Sequence, residues 1–390
     1  MSSKPKIAWL SPLPPQKSGI AYYSYRLVKA LRPYLDIDLY FDGPELAPDL
    51  KNEFNVFPLS GFPQRRSDYK EAVYHLGNNS VFHKEIYKLA WHYPSTIVLH
   101  DYNISAFMHD AFYLQADWRL YEEALPNRNG DSDSKKLPGF MARLRRNVGA
   151  FPMSQAVVNK SSKVIVHHRW VKDQFPEHVA IHVIPLYSHI ERPPTQEQID
   201  DFKKRFQITD DHFLIVCLGF TNTNKLPQLQ VAVAERLLAH GYPVRWLFAG
   251  ETAPEVKRLE SQVQAGEYRE NITFTGYLDE TDYFSAVFSS DVVINLRNPS
   301  MGEGSATLMD ALAAAKPAIV SDINQYKEFP DRVCWKLTHD GNEAELLYEY
   351  ITVLLSNRNV RETLARNSAD YVESVLALER VVPQWVRVVS

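Results

Sequence analysis

The sequence has little cysteine and no excess of positive charge. Cys217 and Cys334 are the two cysteines among 390 residues, and both lie inside apolar runs. They give neither a disulfide framework nor the paired spacing of a zinc site, so we expect buried thiols in a reducing compartment. The formal net charge is −4 at pH 7. Proteins that bind nucleic-acid duplexes usually carry a basic excess, and we therefore expect no nucleic-acid partner.

Long apolar runs are missing as well. No run reaches the roughly 18 to 20 residues that cross a bilayer, and the N-terminus lacks the apolar core of a signal peptide. We therefore expect a cytoplasmic protein whose membrane contact, if it has any, is peripheral at the inner face of the membrane. Residues 135–146, from Lys135 to Arg146, are basic with interleaved apolar side chains. They fit either an ordinary solvated helix face or a surface for lipid headgroups or an acidic acceptor.

Short apolar runs alternate with amphipathic stretches along the chain. This alternation predicts βαβ units and parallel sheets. One series of strands ends near residue 190, where Glu191 and two nearby prolines indicate a linker, and a second series begins at Phe213. We predict an α/β protein of two Rossmann-like domains with a cleft between them, covering residues 1–190 and 191–370. A C-terminal helix at about 371–390 is expected to pack back on the first domain.

Several well-known motifs are absent. The sequence contains no Gly-x-Gly-x-x-Gly, no Gly-x-x-x-x-Gly-Lys-Ser/Thr and no Gly-x-Ser-x-Gly. Their absence argues against a nicotinamide oxidoreductase, a P-loop enzyme and a serine hydrolase. Asp36-Ile-Asp and Asp131-Ser-Asp match the Asp-x-Asp pattern of metal-dependent transferases, but the first opens a strand and the second lies in a polar loop. His167 and His168 have no third ligand at metal spacing, so we predict no metal site.

The loops that follow the predicted strands are where ligands bind in open parallel sheets. After the first strand, Gly19 opens a helix whose N-terminal amides can hold an anion or a sugar oxygen, although plain turn chemistry also explains the glycine. His100 ends another strand and can donate a hydrogen bond into a cleft. After the strand that starts at Phe213, small polar residues including Asn222 can expose backbone amides, and Lys225 can neutralise a phosphate.

The segment after the strand at residues 292–296 is the most informative. Gly302, Gly304 and Ser305 leave accessible the amides at the start of a helix that begins near Gly304 and includes Ala306, an arrangement that suits a diphosphate. Glu303, at the tip of this loop, can accept hydrogen bonds from sugar hydroxyls. An ordinary helix-start charge that complements the helix dipole is the simpler explanation for this glutamate. Asp310, about two turns further along this helix, is a charged residue within an apolar run, and its carboxylate needs a partner.

Together these segments resemble the retaining glycosyltransferases of the GT-B fold, family 4. The segments that carry the resemblance are SPLPPQKSGIA from Ser11, YHLGNN from Tyr74, VLHD from Val98, FTGYL from Phe274 and GEGSATLMDALA from Gly302. The resemblance extends over nearly the whole chain. It implies transfer of a sugar, with retention, from a UDP- or GDP-linked donor to a hydroxyl of a glycan or lipid-linked acceptor in polysaccharide or glycoconjugate assembly. It implies no cofactor and no metal.

The resemblance also gives roles to individual residues. The C-terminal domain is expected to hold the donor, with Tyr277 and Leu278 in the stretch that flanks the nucleotide base. The N-terminal domain is expected to hold the acceptor, and Gly19 to approach the donor phosphate. His100 matches the family's histidine near the transferred sugar, and Lys225 matches the basic residue that neutralises the diphosphate.

Two acidic residues match the family less closely. Glu303 and Asp310 correspond to two glutamates that the family usually separates by seven residues, whereas six separate them here and the second acid is shorter. Phe220 stands where an arginine often accompanies the lysine, and Asn224 or Arg297 are candidates to compensate. These departures leave two other functions open, a non-catalytic nucleotide-sugar-binding subunit and a nucleotide-sugar epimerase.

Overall fold

The computed structural model describes residues 4–43, 45–125, 151–188 and 190–390. The basic stretch 135–146 and the Asp131-Ser-Asp motif lie outside the described residues. The chain divides into two compact units. The first contains Met1–Leu186, Met301–Gly304 and Leu378–Ser390, and the second contains Tyr187–Ser300 and Ser305–Ala377.

The first unit is built on a parallel sheet of seven strands in the order β3-β2-β1-β4-β5-β6-β7. The strands are β1 (Lys6–Leu10), β2 (Asp36–Tyr40), β3 (Asn55–Phe57), β4 (Glu71–Leu76), β5 (Thr96–Leu99), β6 (Lys163–Val166) and β7 (Ile181–Val183). Helices cover the sheet, so its central strands are buried on both faces and read as continuous apolar runs.

The helices of the first unit follow their strands closely. They are α1 (Gly19–Leu31), α2 (Pro48–Glu53), α3 (Phe62–Arg65), α4 (Ser80–His92), α5 (Ser105–Met108), α6 (Trp118–Ala124), α7 (Gln155–Lys160) and α8 (Arg169–Lys172). Helix α1 buries Tyr23, Leu27 and Leu31, which recur at helical spacing. The side chain of Asn79 caps α4 by accepting the Val81 N–H.

The second unit contains a parallel sheet of six strands in the order β10-β9-β8-β11-β12-β13. The strands are β8 (Phe213–Leu218), β9 (Val244–Ala249), β10 (Ile272–Phe274), β11 (Val292–Asn295), β12 (Ala318–Ser321) and β13 (Cys334–Leu337). The helices are α9 (Gln196–Arg205), α10 (Pro227–Ala239), α11 (Lys257–Ala265), α12 (Glu280–Ser289), α13 (Ala306–Ala313), α14 (Glu343–Ser356) and α15 (Arg358–Tyr371). Cys217 and Cys334 are buried free thiols in this unit.

The chain ends in helix α16 (Leu378–Val389), which belongs to the first unit. Trp385 of this helix is fully buried, and its ring centroid lies 5.4 Å from that of Trp9 on β1. The Nζ of Lys163 on β6 donates to the Val388 carbonyl at 2.9 Å. The apolar face of α16 therefore completes the core of the first unit. No helix among the described residues is long and apolar enough to span a bilayer.

Both sheets reverse their strand order next to their first strand. In the first unit β1 lies between β2 and β4, and in the second β8 lies between β9 and β11. The crevices where doubly wound sheets bind ligands lie at the carboxyl ends of such strands. The predicted α/β class with two Rossmann-like units is confirmed, and each unit has its own switch point.

Candidate active site

Three histidines form a hydrogen-bonded chain across the carboxyl ends of β4, β5 and β6 in the first unit. The Nδ1 of His75 lies 2.9 Å from the Nε2 of His100, and the Nδ1 of His100 lies 3.2 Å from the Nε2 of His167. The Nδ1 of His167 lies 3.0 Å from the Ile184 carbonyl. All three imidazoles are buried.

The Ile184 carbonyl at the end of this chain determines the tautomers of all three histidines. A carbonyl only accepts, so His167 carries its proton on Nδ1 and accepts through Nε2. His100 then donates from Nδ1 to His167, and His75 donates from Nδ1 to the Nε2 of His100. Burial lowers the pKa of His167 to about 4 and holds the pKa values of His75 and His100 well below their usual value. The chain is therefore neutral at pH 7.

This arrangement changes the expected role of His100. Its two ring nitrogens bond to other histidines, so the imidazole, as placed, offers neither nitrogen to a ligand. Its backbone contributes instead, because the His100 carbonyl accepts the Gly304 N–H at 3.2 Å. His100 thus holds the loop that carries Glu303.

The loop Met301–Gly304 packs within the first unit, although the sequence placed it in the donor domain. Gly302 has a φ of +71°, and a Cβ there would lie 2.5 Å from the Cβ of Tyr102. A Cβ at Gly304 would lie 3.3 Å from a methyl carbon of Leu186. The two glycines therefore allow the loop to approach protein atoms closely. The amide of Gly304 itself is occupied, because this N–H donates to the His100 carbonyl.

A second acid, Asp101, lies beside Glu303. Asp101 directly follows His100, and its Oδ2 accepts the Asn78 N–H at 2.7 Å. Burial, together with the negative charge of Glu303, raises the pKa of Asp101 to about 7. Glu303 itself accepts the Met301 N–H through Oε2 at 2.7 Å. Two carboxyl groups close enough for one to raise the pKa of the other are typical of functional sites.

Gly19 begins helix α1 at the carboxyl end of β1. It is exposed, and a Cβ there would meet no atom within 4 Å. The glycine is therefore not required by the packing of this unit, and its amide lies at the start of a 13-residue helix. This position suits an anion or a sugar oxygen.

Lys225 of the second unit is buried beneath the end of β8. Its Nζ donates to the Leu218 carbonyl and lies 3.4 Å from where a Cβ on Gly219 would be. Gly219 has a φ of +78°. A Cβ at Gly250 would clash with the Gly219 carbonyl oxygen, which would lie 2.5 Å away. Burial lowers the pKa of Lys225 to about 7. At pH 7 about half of the molecules therefore carry the charge of Lys225, which lies beneath the backbone at Gly219.

The start of helix α13 lies beside this lysine. The Cγ2 of Thr307 is 3.1 Å from where the Cβ of Gly219 would be. Ser305 caps the helix by accepting the Leu308 N–H, and its hydroxyl donates to Asn295 Oδ1 at 3.1 Å. Ala306, the first helical residue, is exposed. The helix dipole and the lysine therefore place positive potential at one spot.

Three buried polar atoms around this spot have no hydrogen-bond partner among the described residues. They are the Nδ2 of Asn295, the Oδ1 of Asn222 and the Oγ1 of Thr252. An unpaired buried polar group costs about 1 to 3 kcal/mol, so such atoms mark a place where a ligand or water completes the bonding.

The remaining predicted donor residues lie in the same unit with their own partners. Asp310 accepts the Tyr283 hydroxyl at 2.8 Å, which is the partner that its charge required. The Nη1 of Arg297 donates to the Leu296 carbonyl at 2.7 Å, and the charge of Arg297 helps to lower the pKa of Lys225. Tyr277 is 58% exposed, whereas Leu278 packs against the core of the unit. An exposed aromatic ring can stack on a nucleotide base.

Sequence reasoning missed some of these residues. Asn295 and Thr252 carry unpaired polar atoms, Tyr283 holds Asp310, and Asp101 faces Glu303. Asn295 ends β11 and Asp101 follows β5, so the rule that ligands bind at strand carboxyl ends was the signal for both. No group of three or more His, Cys, Asp or Glu side chains within the described ranges could hold a metal ion.

Comparison with known proteins finds a family model for part of the second unit and solved structures that share the fold of both units. Residues 198–371, most of the second unit, match the family model of glycosyl transferases group 1. A comparison with curated proteins finds no match to this chain.

Solved structures share the fold at low sequence identity. A sucrose-phosphate synthase from Thermosynechococcus elongatus has a TM-score of 0.68 and 15% identity, over 99% of this chain and 98% of that chain. HepE from Anabaena, solved with UDP-glucose, has a TM-score of 0.68 and 13% identity over 98% and 99%. WaaG, a glycosyltransferase involved in lipopolysaccharide biosynthesis, has a TM-score of 0.63 and 13% identity over 98% and 99%. The two units therefore have the GT-B fold.

Proposed function

We propose that this chain is a glycosyltransferase that moves a sugar from a nucleoside-diphosphate sugar to a hydroxyl of a glycan or lipid-linked acceptor, with retention. The observation that carries the proposal is the buried Lys225 beneath Gly219, next to the start of α13. It lies inside the segment that matches the glycosyl transferases group 1 model. HepE, which shares the fold, was solved with UDP-glucose, and we take UDP as the first candidate for the donor nucleotide.

The donor diphosphate binds in the second unit on this account. A phosphate oxygen above Gly219 meets Lys225, the amides at Ser305 and Ala306 and the unpaired Nδ2 of Asn295. Each of these groups donates a hydrogen bond or positive charge. They stabilise the negative charge that grows on the departing nucleoside diphosphate, and stabilisation of this kind is usually the largest single contribution to catalysis. The same groups supply the charge that a divalent metal supplies elsewhere, so we propose metal-independent transfer without a cofactor.

The other donor contacts extend this site. We propose that Tyr277 stacks on the nucleotide base, with Leu278 shaping the base pocket. Asp310, oriented by Tyr283, accepts a hydrogen bond from a ribose hydroxyl. Arg297 contributes charge near the diphosphate.

The first unit acts on the transferred sugar and the acceptor. Glu303 accepts hydrogen bonds from sugar hydroxyls, and the amide of Gly19 approaches the donor phosphate. His100 acts as a positioning residue, because its carbonyl holds the loop at Gly304. In a front-face reaction the acceptor hydroxyl loses its proton to the leaving phosphate, so the protein needs no nucleophile. We propose that the protein works in the cytoplasm and that residues 135–146 contact the inner membrane face.

A thermal-shift screen tests this function. The protein is heated with UDP, GDP, ADP and their common sugar conjugates, in magnesium and in EDTA. A ligand that binds only the folded protein at 100 times its Kd stabilises it by about 2.7 kcal/mol. We expect one nucleoside diphosphate and its sugar conjugate to raise Tm equally in both buffers, and Lys225→Met to show a smaller shift. No response to any nucleotide, or a shift that needs magnesium, contradicts the proposal.

A further inference from the structure

Asp101 has no role in the proposed reaction so far, although the fold holds its carboxyl group firmly. The Asn78 N–H donates to Asp101 Oδ2 at 2.7 Å. At Gly77 a Cβ would lie 2.5 Å from Ile20 Cδ1 and 3.3 Å from Asp101 Oδ2. Glycine is therefore the residue that fits between helix α1 and this carboxyl group. The loop after β4 thus fixes Asp101 from one side.

The loop Met301–Gly304 fixes it from the other side. Two main-chain hydrogen bonds join this loop to residues on either side of Asp101. The Asn103 N–H donates to the Met301 carbonyl at 2.8 Å, and the Gly304 N–H donates to the His100 carbonyl at 3.2 Å. Glu303 lies between the two bonded positions of the loop. The backbone therefore sets two acidic side chains, Asp101 and Glu303, beside each other.

The Asn78 N–H favours the ionised form of Asp101, but burial and a like charge outweigh it. The charged group that acts on Asp101 is Glu303, which has the same sign. From helix α4, His83 approaches the same spot, since its Nε2 is 3.0 Å from the Cβ position of Gly77. The Nδ1–H of His83 donates to the His75 carbonyl at 2.9 Å, so this neutral ring presents a lone pair. His100 on β5 is neutral as well. A buried carboxyl group close to a like charge favours its protonated, neutral form.

We propose that Asp101 carries a proton and thereby leaves Glu303 in position to accept hydrogen bonds from hydroxyls of the transferred sugar. This rests on the proposed function, because it assigns the sugar to Glu303. Asp101 is a positioning residue, and no bond to it forms or breaks. When Asp101 ionises, its charge repels Glu303 and displaces the loop Met301–Gly304. The hydroxyls of the transferred sugar then lose the carboxylate that accepts their hydrogen bonds. The nucleotide part of the donor is unaffected, because Glu303 is not among the groups proposed to contact it.

The first test follows the sugar's share of donor affinity as a function of pH. We define this share as the Kd of the nucleoside diphosphate divided by the Kd of its sugar conjugate. Any titration of Lys225 acts on both ligands and cancels in the ratio. Between pH 7.5 and 9, where the diphosphate is fully ionised, the ratio in the natural protein is expected to fall by up to about tenfold per pH unit. In Asp101→Asn, whose amide cannot ionise, the ratio stays constant over this range.

The second test needs no ligand and separates the two proposals. Infrared difference spectra between pH 6 and pH 9 report the carbonyl band of a protonated carboxyl group. We expect the natural protein to lose such a band near pH 7, and Asp101→Asn to lack it. In Glu303→Gln the band is expected to disappear at a lower pH, because the like charge is gone. This second variant keeps the test valid if Asp101→Asn fails to fold.

Two results overturn the inference. One is the absence of a titrating band from the natural protein, and the other is a band that titrates while the affinity ratio stays flat. If no nucleotide binds at all, the proposed function fails, and the infrared titration still decides whether Asp101 holds a proton.

Discussion

Donor binding is expected to draw a proton onto Lys225. Burial lowers the pKa of this lysine to about 7, so at pH 7.5 about one quarter of the molecules carry its charge. A diphosphate placed against Nζ favours the charged form and raises that pKa by two units or more. Binding at pH 7.5 therefore takes up about three quarters of a proton, and donor affinity falls towards tenfold per pH unit above pH 7.

Isothermal titration calorimetry measures this uptake directly. The enthalpy of binding a nucleoside-diphosphate sugar is recorded in buffers of different ionisation enthalpy, and the slope gives the number of protons. The sugar conjugate is used because its diphosphate does not titrate near neutrality. Lys225→Met is expected to bind more weakly and to show a slope close to zero. Lys204→Met, a change at an exposed lysine of the same unit, serves as the matched control and keeps the natural slope. A natural protein that binds the donor with zero slope refutes the argument.

Three further predictions follow from the contacts described above. Glu303→Gln is expected to lower kcat for transfer by about 100-fold while the Kd of the nucleoside diphosphate stays within twofold, because charged hydrogen bonds to the sugar are lost; an unchanged kcat contradicts this. Tyr283→Phe, which leaves Asp310 without its hydroxyl donor, is expected to lower the free energy of unfolding by about 1 kcal/mol in urea titrations; no loss shows that the bond is not formed in solution. His83 and His167 have pKa values of about 4, below the usual 6.5, so the unfolded chain binds more protons than the folded one and stability falls as pH drops from 6.5 to 4. Each contributes about 3 kcal/mol over this range, and urea unfolding at pH 7, 6 and 5 that shows no decline refutes their neutral, buried state.

The fold was predictable because both sheets have strands buried on two faces. Such strands read as continuous apolar runs, as in Phe213–Leu218, and the runs alternate with helices that are apolar on one side. The positions of Gly19, Lys225 and Glu303 followed from the same pattern, since each comes after a strand. The rule that ligands bind at the carboxyl ends of strands thus predicted which loops form the site, but not which residues these loops contact.

The contacts within the loops depend on strand order, which the sequence does not display. His75 and His167 lie 25 and 67 residues from His100, and only the order β4-β5-β6 makes them neighbours. Asp101 meets Glu303 because a four-residue piece of the chain packs with the first unit. The burial of Lys225 depends on the turn at Gly219. The sequence predicted a positive charge at this lysine, whereas its packing determines what fraction of the molecules carries that charge at pH 7.

The most direct test of the central claim measures transfer itself. The protein is incubated with UDP-, GDP- and ADP-sugars and a panel of glycan and lipid-linked acceptors, in EDTA, and the release of nucleoside diphosphate is followed together with the product. Our account predicts release that depends on an acceptor, persists in EDTA, yields a product with the anomeric configuration of the donor, and is lost in Glu303→Gln. Conversion of the donor to another nucleotide sugar without an acceptor, or tight donor binding with no release under any condition, contradicts it.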